Sequence, residues 1–259
     1  MVNCAYVTLL SSVDYLAPVI ILDKNLKDLG CQYPLCVMVT EDIFDNVVEY
    51  LNKERVSYIK VPVIEYSEAT KQATKDERLL SIASKMNVFT LHEFDKVVYL
   101  DSDAIFFKNI DELFEYPDGA LYDDGRKYGF VGLFVCSPEM HPLDYYLSLL
   151  QNSPVTMWES DLLEPLWFPF QTNPDYRIPF SYFVNITNEN IDNVNKEVPF
   201  FGVHFCYKYK PWNYLSVKDY INDYKRELKH YGVIREEIVD FYITKYVLPL
   251  YKKYPKIFN

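Results

Sequence analysis

The sequence predicts an α/β fold, a mainly parallel mixed sheet with helices on both faces and a C-terminal helical extension. Three observations lead there. Apolar runs of strand length alternate with helical periodicities through the first two-thirds of the chain, and such alternation with short connections calls for parallel neighbours covered on both faces. The 259 residues are 49% hydrophobic and 24% charged, enough for one large core. Beyond Trp212 the composition shifts to Tyr, Lys, Glu and Asp at helical spacing. We expect residues 1–212 to form the main domain and residues 213–259 to pack on it as helices.

Taken in order, Ala5 to Leu10 reads as the first strand. Leu16, Val19, Ile20, Leu26 and Leu29 recur at helical spacing, with Pro18 in the first turn and Gly30 as the stop. Leu35 to Thr40 is a second strand, and Ile43, Val47, Tyr50 and Leu51 mark a second helix. A third strand spans Val56 to Val63. Leu79, Ile82, Ala83, Met86 and Phe89 share one helical face with Lys85 near its edge. Lys96 to Leu100 and Phe130 to Ser137 are further strands, with a Tyr/Leu-rich helix near 142–151 after them. A Pro-rich aromatic stretch runs from Trp158 to Pro179, and Val198 to Phe205 is the last strand. Residues 217–231 and 235–254 read as tail helices, in which Leu228, Val233, Ile238, Phe241 and Val247 need burial.

Charge and composition exclude several function classes. A net charge of −11 repels phosphate backbones and anionic lipid heads, so generic nucleic-acid or membrane-surface binding is not expected. No apolar run reaches the ~18–20 residues that a membrane span requires. The opening Met1-Val2-Asn3-Cys4-Ala5-Tyr6 lacks a basic region and already reads as a strand, unlike a signal peptide. Five Cys, at 4, 31, 36, 136 and 206, form no C-x-x-C pair, which suits reduced thiols and a cytoplasmic setting. The 24 Tyr, 17 Phe and 3 Trp suit packed surfaces and ligand clefts.

In a parallel sheet, ligands bind beyond the carboxyl ends of the strands. There the buried run Val97-Val98-Tyr99-Leu100 delivers Asp101-Ser102-Asp103, two carboxylates one residue apart. Hard oxygen donors in that position suit Mn²⁺ or Mg²⁺ with positions left for phosphate oxygens. The plainer reading of the same residues is a turn or a helix N-cap. Downstream, His204 leaves a strand, where it is either a third metal ligand or a core side chain, and Lys210 can neutralise a diphosphate. Val7-Thr8-Leu9-Leu10-Ser11-Ser12-Val13-Asp14-Tyr15 passes from strand to helix and offers hydroxyls and an aromatic plane to a nucleoside.

These pieces together resemble the glycogenin-like retaining glycosyltransferases (glycosyltransferase family 8), which use a nucleotide-sugar donor on a GT-A, Rossmann-like fold. The resemblance rests on the opening Tyr6-Val7-Thr8-Leu9 with Tyr15, on Lys85 sixteen residues before Asp101, and on the run Tyr99 to Phe114. Gly132-Leu133-Phe134-Val135, His204-Phe205 and Lys210-Pro211-Trp212 complete it, so it spans residues 5–215. It implies metal ligands at Asp101, Asp103 and His204, with Mn²⁺ usual and Mg²⁺ allowed. It implies a UDP-sugar donor, UDP-glucose or UDP-galactose, with Tyr15 stacked on the uracil near Leu9 and Ser11. Ser102 approaches the ribose and Lys210 the diphosphate, while Lys85 and Arg78 lie near the sugar. Asp161 stands near the anomeric carbon, and the pair Asp123 and Asp124 meets sugar hydroxyls. From the residues alone, Lys85 and Arg78 read equally as a solvated helix face, and Asp161 as a helix cap.

The implied reaction moves a hexose to a hydroxyl acceptor, which is a glycan, a protein or a small molecule; a homodimer is allowed. The chain departs from the family pattern at three places. Phe130 or Val131 replaces an Asn, Leu162 a Gln, and Tyr207 a Gly. Three alternative readings stand beside the transferase: a UDP-sugar-binding relative with impaired catalysis, a structural or interaction protein, and a metal-dependent nucleotidyltransferase on a similar sheet.

Overall fold

Short apolar runs and amphipathic stretches pair off much as their spacing dictates. The computed structural model describes residues 2–74, 77–125, 130–140, 143–166, 168–185, 200–206, 209–227 and 235–258, without the side chains of 77–79 and 163–168. The Arg78 side chain, Tyr207, Leu228 and Val233 thus lie outside the described residues.

The elements are β1 (Cys4–Leu10), α1 (Leu16–Asp28), β2 (Leu35–Thr40), α2 (Phe44–Glu54), β3 (Ser57–Val61) and α3 (Glu68–Ala73). A 3-10 segment, Glu77–Thr90, leads to β4 (Lys96–Leu100) and β5 (Ala104–Phe106). Next come β6 (Leu121–Tyr122), β7 (Phe130–Cys136), α4 (Leu143–Asn152), α5 (Glu159–Leu166) and α6 (Phe168–Thr172). The short strands β8 (Arg177–Ile178), β9 (Val184–Asn185) and β10 (Gly202–His204) precede α7 (Val217–Glu227), α8 (Glu236–Tyr242) and α9 (Leu248–Lys253).

Seven strands form one sheet in the order β3-β2-β1-β4-β7-β6-β8. Strands β3, β2, β1 and β4 are mutually parallel, whereas β7 runs antiparallel to both β4 and β6. The sheet is therefore mixed and mainly parallel, and its core divides between two faces. One face packs α1 and the C-terminal helices through Ile20, Tyr242 and Val247, and the other packs the 3-10 segment and α4 through Met86, Phe89 and Leu150. Among the tail residues expected to need burial, Ile238 and Val247 are buried and Phe241 is partly buried. Between α8 and α9 a π turn, Ile243–Val247, continues the helix. Pro249 explains it, because its ring nitrogen has no N–H for the preceding turn.

Three local expectations differ from what forms. The periodicity around Leu79 to Phe89 predicts an α-helix, yet the backbone is 3-10. Asn87 Nδ2 bonds the Ser84 carbonyl at 2.9 Å and Thr90 Oγ1 the Asn87 carbonyl at 2.8 Å. Side chains that reach back three residues favour the tighter turn. Residues 83–89 are all buried, so Lys85 lies in the interior and not at a helix edge. The last strand is confined, among the described residues, to Gly202–His204, and it belongs to a second sheet of order β5-β10-β9.

That second sheet places the site. The chain leaves β4 at Leu100 and enters β5 at Ala104, so Asp101-Ser102-Asp103 is the passage from one sheet to the other. Strand β10 pairs antiparallel with β5, with His204 opposite Ala104.

Candidate active site

Backbone hydrogen bonds pin both arms of the Asp101–Asp103 turn. Asp101 N–H donates to the Gly132 carbonyl at 2.8 Å, and Phe205 N–H donates to the Asp103 carbonyl at 2.8 Å. Gly132 is required here because a Cβ on it would strike the Phe130 ring and stand 2.6 Å from Asp101 Oδ2. The turn and the β10 register bring Asp101, Asp103 and His204 together, with one potential ligand atom from each lying within 4.8 Å of the other two.

His204 is oriented for that role. Its Nδ1 lies 3.0 Å from Asn185 Oδ1, an atom that only accepts, so Nδ1 carries the proton and donates. Phe183 stacks on the imidazole at 4.7 Å and 19°. The remaining nitrogen, Nε2, faces Asp103 Oδ1 at 3.1 Å. A lone pair and a carboxylate oxygen at that distance need a proton or a cation between them. Two carboxylates and an imidazole with a fixed tautomer form a donor set that fits Mn²⁺ or Mg²⁺.

The surrounding charges are almost fully enclosed. Asp103 Oδ2 accepts from Lys210 Nζ at 2.6 Å, and Lys210 also donates to the Phe205 carbonyl at 2.6 Å. Burial pushes the Asp103 carboxyl up, but Lys210 and His204 outweigh it and hold the group well below the usual carboxylate range. Burial likewise pulls Lys210 down, and Asp103 more than restores it, so its ammonium is held above the ordinary lysine value. Lys85, 4% exposed, pairs with Asp101 Oδ1 at 3.1 Å and donates to the Val131 carbonyl at 3.2 Å. Its ammonium sits 5.0 Å above the Tyr99 ring.

The β1–α1 turn forms the adjoining wall, since β1 and β4 are parallel neighbours whose carboxyl ends meet on one edge. Tyr15 meets Trp212 edge-on at 5.4 Å and 67°, and Lys210 Nζ lies 5.9 Å from the Tyr15 ring. Ser11 Oγ bonds Ser81 Oγ at 3.0 Å, tying this wall to the 3-10 segment. Leu9 is half-buried and Ser102 is buried within the turn.

The carboxylates of the other flank are arranged differently. Asp161 is exposed, and its Oδ2 accepts from the Trp158 N–H at 2.8 Å, as a third-position carboxylate does at a helix start. Asp123 Oδ1 accepts from Gly125 N–H at 3.0 Å while Oδ2 faces Arg177 at 3.6 Å, and Asp124 is half-buried beside it. Sequence reasoning missed Glu159, which is 7% exposed and accepts from the Tyr66 hydroxyl. Its charge, together with that of Asp101, helps hold the Tyr99 phenol high, after burial. The signal was there: Glu159 stands two residues before Asp161 at the head of the same helix. Asn185 and Phe183, which orient His204, carried no such signal.

The chain is similar to several known proteins. A family described as "Mannosyltransferase putative" matches residues 6–118. Galactinol synthase 1 of Solanum lycopersicum is 28% identical over 254 residues, covering 85% of this chain and 77% of its own. Human glycogenin-1 is 24% identical over 222 residues, covering 83% of this chain and 63% of its own. Among solved structures, the galactosyltransferase LgtC, in complex with donor and acceptor sugar analogues, superposes with a TM-score of 0.57 at 15% identity, covering 80% of this chain and 89% of its own. The fold is that of the GT-A glycosyltransferases, and the chain is similar in sequence to glycogenin-like glycosyltransferases.

Proposed function

We propose that this protein is a retaining hexosyltransferase that moves a sugar from a UDP-sugar to a hydroxyl acceptor. The observation that carries the reading is the convergence of Asp101, Asp103 and an oriented His204 within 4.8 Å, backed by the buried ammonium of Lys210. Asp101, Asp103 and His204 are the residues to hold Mn²⁺, which when bound supplies positive charge to a departing diphosphate. Retention and the choice of uridine rest on the likeness to glycogenin-like enzymes; UDP-glucose and UDP-galactose are the donors to test first.

Each of this chain's residues then has a defined task. Tyr15 stacks on the base beside Leu9 and Ser11, and Ser102 approaches the ribose. Lys210, already desolvated between Asp103 and the Phe205 carbonyl, turns one N–H toward the diphosphate where negative charge develops, so little reorganisation is needed. Lys85 neutralises Asp101 from behind and borders the sugar, with Arg78 and Asp124 as further sugar contacts. The carboxylate facing the anomeric centre comes from the head of α5. Asp161 is one candidate, and Glu159, buried at the head of α5 and bonded to the Tyr66 hydroxyl, is the second. The acceptor is a glycan, protein or small-molecule hydroxyl, and a homodimer is compatible with the assignment. We keep the cytoplasmic setting as part of the proposal. No described helix is long and apolar enough to cross a membrane.

A screen of UDP-sugars by thermal shift, with and without Mn²⁺, tests the reading, because a ligand that binds the folded state raises its melting temperature by mass action. Stabilisation by UDP-glucose or UDP-galactose only when Mn²⁺ is present is expected, followed by UDP release once an acceptor is supplied. Stabilisation without release supports the impaired relative. No stabilisation by any nucleotide sugar contradicts the proposal.

A further inference from the structure

We infer that Trp212 is the positioning residue that sets the span between the base platform and the diphosphate grip. This rests on the nucleotide-sugar reading above and adds to it a residue with no assigned task. Trp212 is 2% exposed, and its indole Nε1 donates to the Asp14 carbonyl at 3.2 Å, a bond between segments 198 residues apart. The same ring meets Tyr15 edge-on at 5.4 Å and lies 5.6 Å beneath Lys210 Nζ. Lys210 in turn is fixed by Asp103 Oδ2 and the Phe205 carbonyl, each at 2.6 Å. Contacts therefore run without a break from the proposed base platform, through one indole, to the proposed metal ligand.

The physical consequence concerns how two partial affinities combine. A base on Tyr15 and a diphosphate at Lys210 reinforce each other only if both seats are held at the separation the nucleotide spans. The β1–α1 turn and the segment after β10 come from different sheets, so β-ladder bonds alone do not fix that separation. Trp212 does so from both ends, by a hydrogen bond to one segment and by aromatic and cation contacts to Tyr15 and Lys210. It need not touch the nucleotide to act.

The test compares UDP with inorganic pyrophosphate, both in the presence of Mn²⁺, on wild type and Trp212→Phe. That substitution keeps an aromatic ring and deletes the N–H donor. UDP affinity is expected to fall about tenfold, the size of one hydrogen bond's net effect, while pyrophosphate affinity stays unchanged. The penalty of Tyr15→Ala is expected to shrink on the Trp212→Phe background, as coupled neighbours require. Should Trp212→Phe melt as an unfolded chain, Trp212→Tyr, nearer in volume, replaces it. Equal losses for UDP and pyrophosphate, unchanged UDP affinity, or additive Tyr15 and Trp212 effects would overturn the inference alone. Wild type that binds pyrophosphate but not UDP would overturn the nucleotide reading with it.

Discussion

The two flanks of the site hold their carboxylates in opposite ways. On the β4–β10 side, Asp103 is 7% exposed and is gripped by His204 and Lys210, with Asp101 paired to a buried Lys85. On the other side, Asp161 is exposed and engaged by its own helix start, and Asp123 faces a half-exposed Arg177. Enclosing charges costs several kcal/mol per ion and is recovered only through close partners, so a buried cluster of this kind marks a place where charge is used. An exposed cap contributes to local stability. The lesson is that the half of the cleft proposed to hold metal and diphosphate is tightly cross-bonded, whereas the half proposed to hold the sugar depends on which carboxylate at the head of α5 faces inward.

The largest expected effect breaks the enclosed side. Asp103→Asn should abolish Mn²⁺-dependent UDP binding and UDP release. It should also destabilise the fold by roughly 3–5 kcal/mol, because Lys210 is left buried without its counter-charge. Calorimetric titration and a denaturant melt check the two parts, and wild-type turnover in this variant would remove the metal site from the account.

Glu159→Gln comes next and sharpens the contrast within α5. It preserves shape and the Tyr66 contact while deleting charge, and turnover should fall by about 100-fold if this carboxylate stabilises a cationic centre. The paired measurement on Asp161→Asn should stay within about threefold, with a melting change of no more than ~1 kcal/mol from the weakened helix start. Reversal of that order would place Asp161 at the anomeric centre, as the sequence reading has it.

How much of this could be read in advance depends on the distance over which each feature is encoded. The strands β1 to β4, their parallel character and the place of Asp101-Ser102-Asp103 after one of them were legible because each arises from a local run: an apolar strand, a turn, and a helix of fixed period. His204 and Lys210 lie more than 100 residues from Asp103, so the residues alone left His204 open between a metal ligand and a core side chain, and the resemblance favoured the ligand. The burial of Lys85 was hidden because Asn87 and Thr90 side chains bond back three residues in a 3-10 path whose whole middle lies inward. Asn185 and Phe183 orient the histidine only because β9 pairs with β10, a register that no local pattern encodes. Glu159 was passed over for Asp161, since burial and not spacing distinguishes the two.

A smaller effect separates the base wall from the metal centre. Tyr15→Ala should weaken UDP by roughly 1–3 kcal/mol, the range found when an aromatic platform is removed from beneath a base. Pyrophosphate binding in the presence of Mn²⁺ should be untouched, and competition binding would reveal any loss there. The smallest effect is on thiol chemistry. Burial pushes the Cys36 thiol up to about 12, so its labelling by a disulfide reagent at neutral pH should await unfolding. Rapid labelling of native protein at Cys36 would show that β2 is more open than its packing indicates.

The most direct measurement of the central claim is a calorimetric titration of wild-type protein with UDP, once with Mn²⁺ and once with excess chelator. Asp101, Asp103 and His204 gathered around one ion predict an affinity at least ~100-fold higher with the metal, equivalent to about 2.7 kcal/mol. Equal affinities under the two conditions would contradict the account.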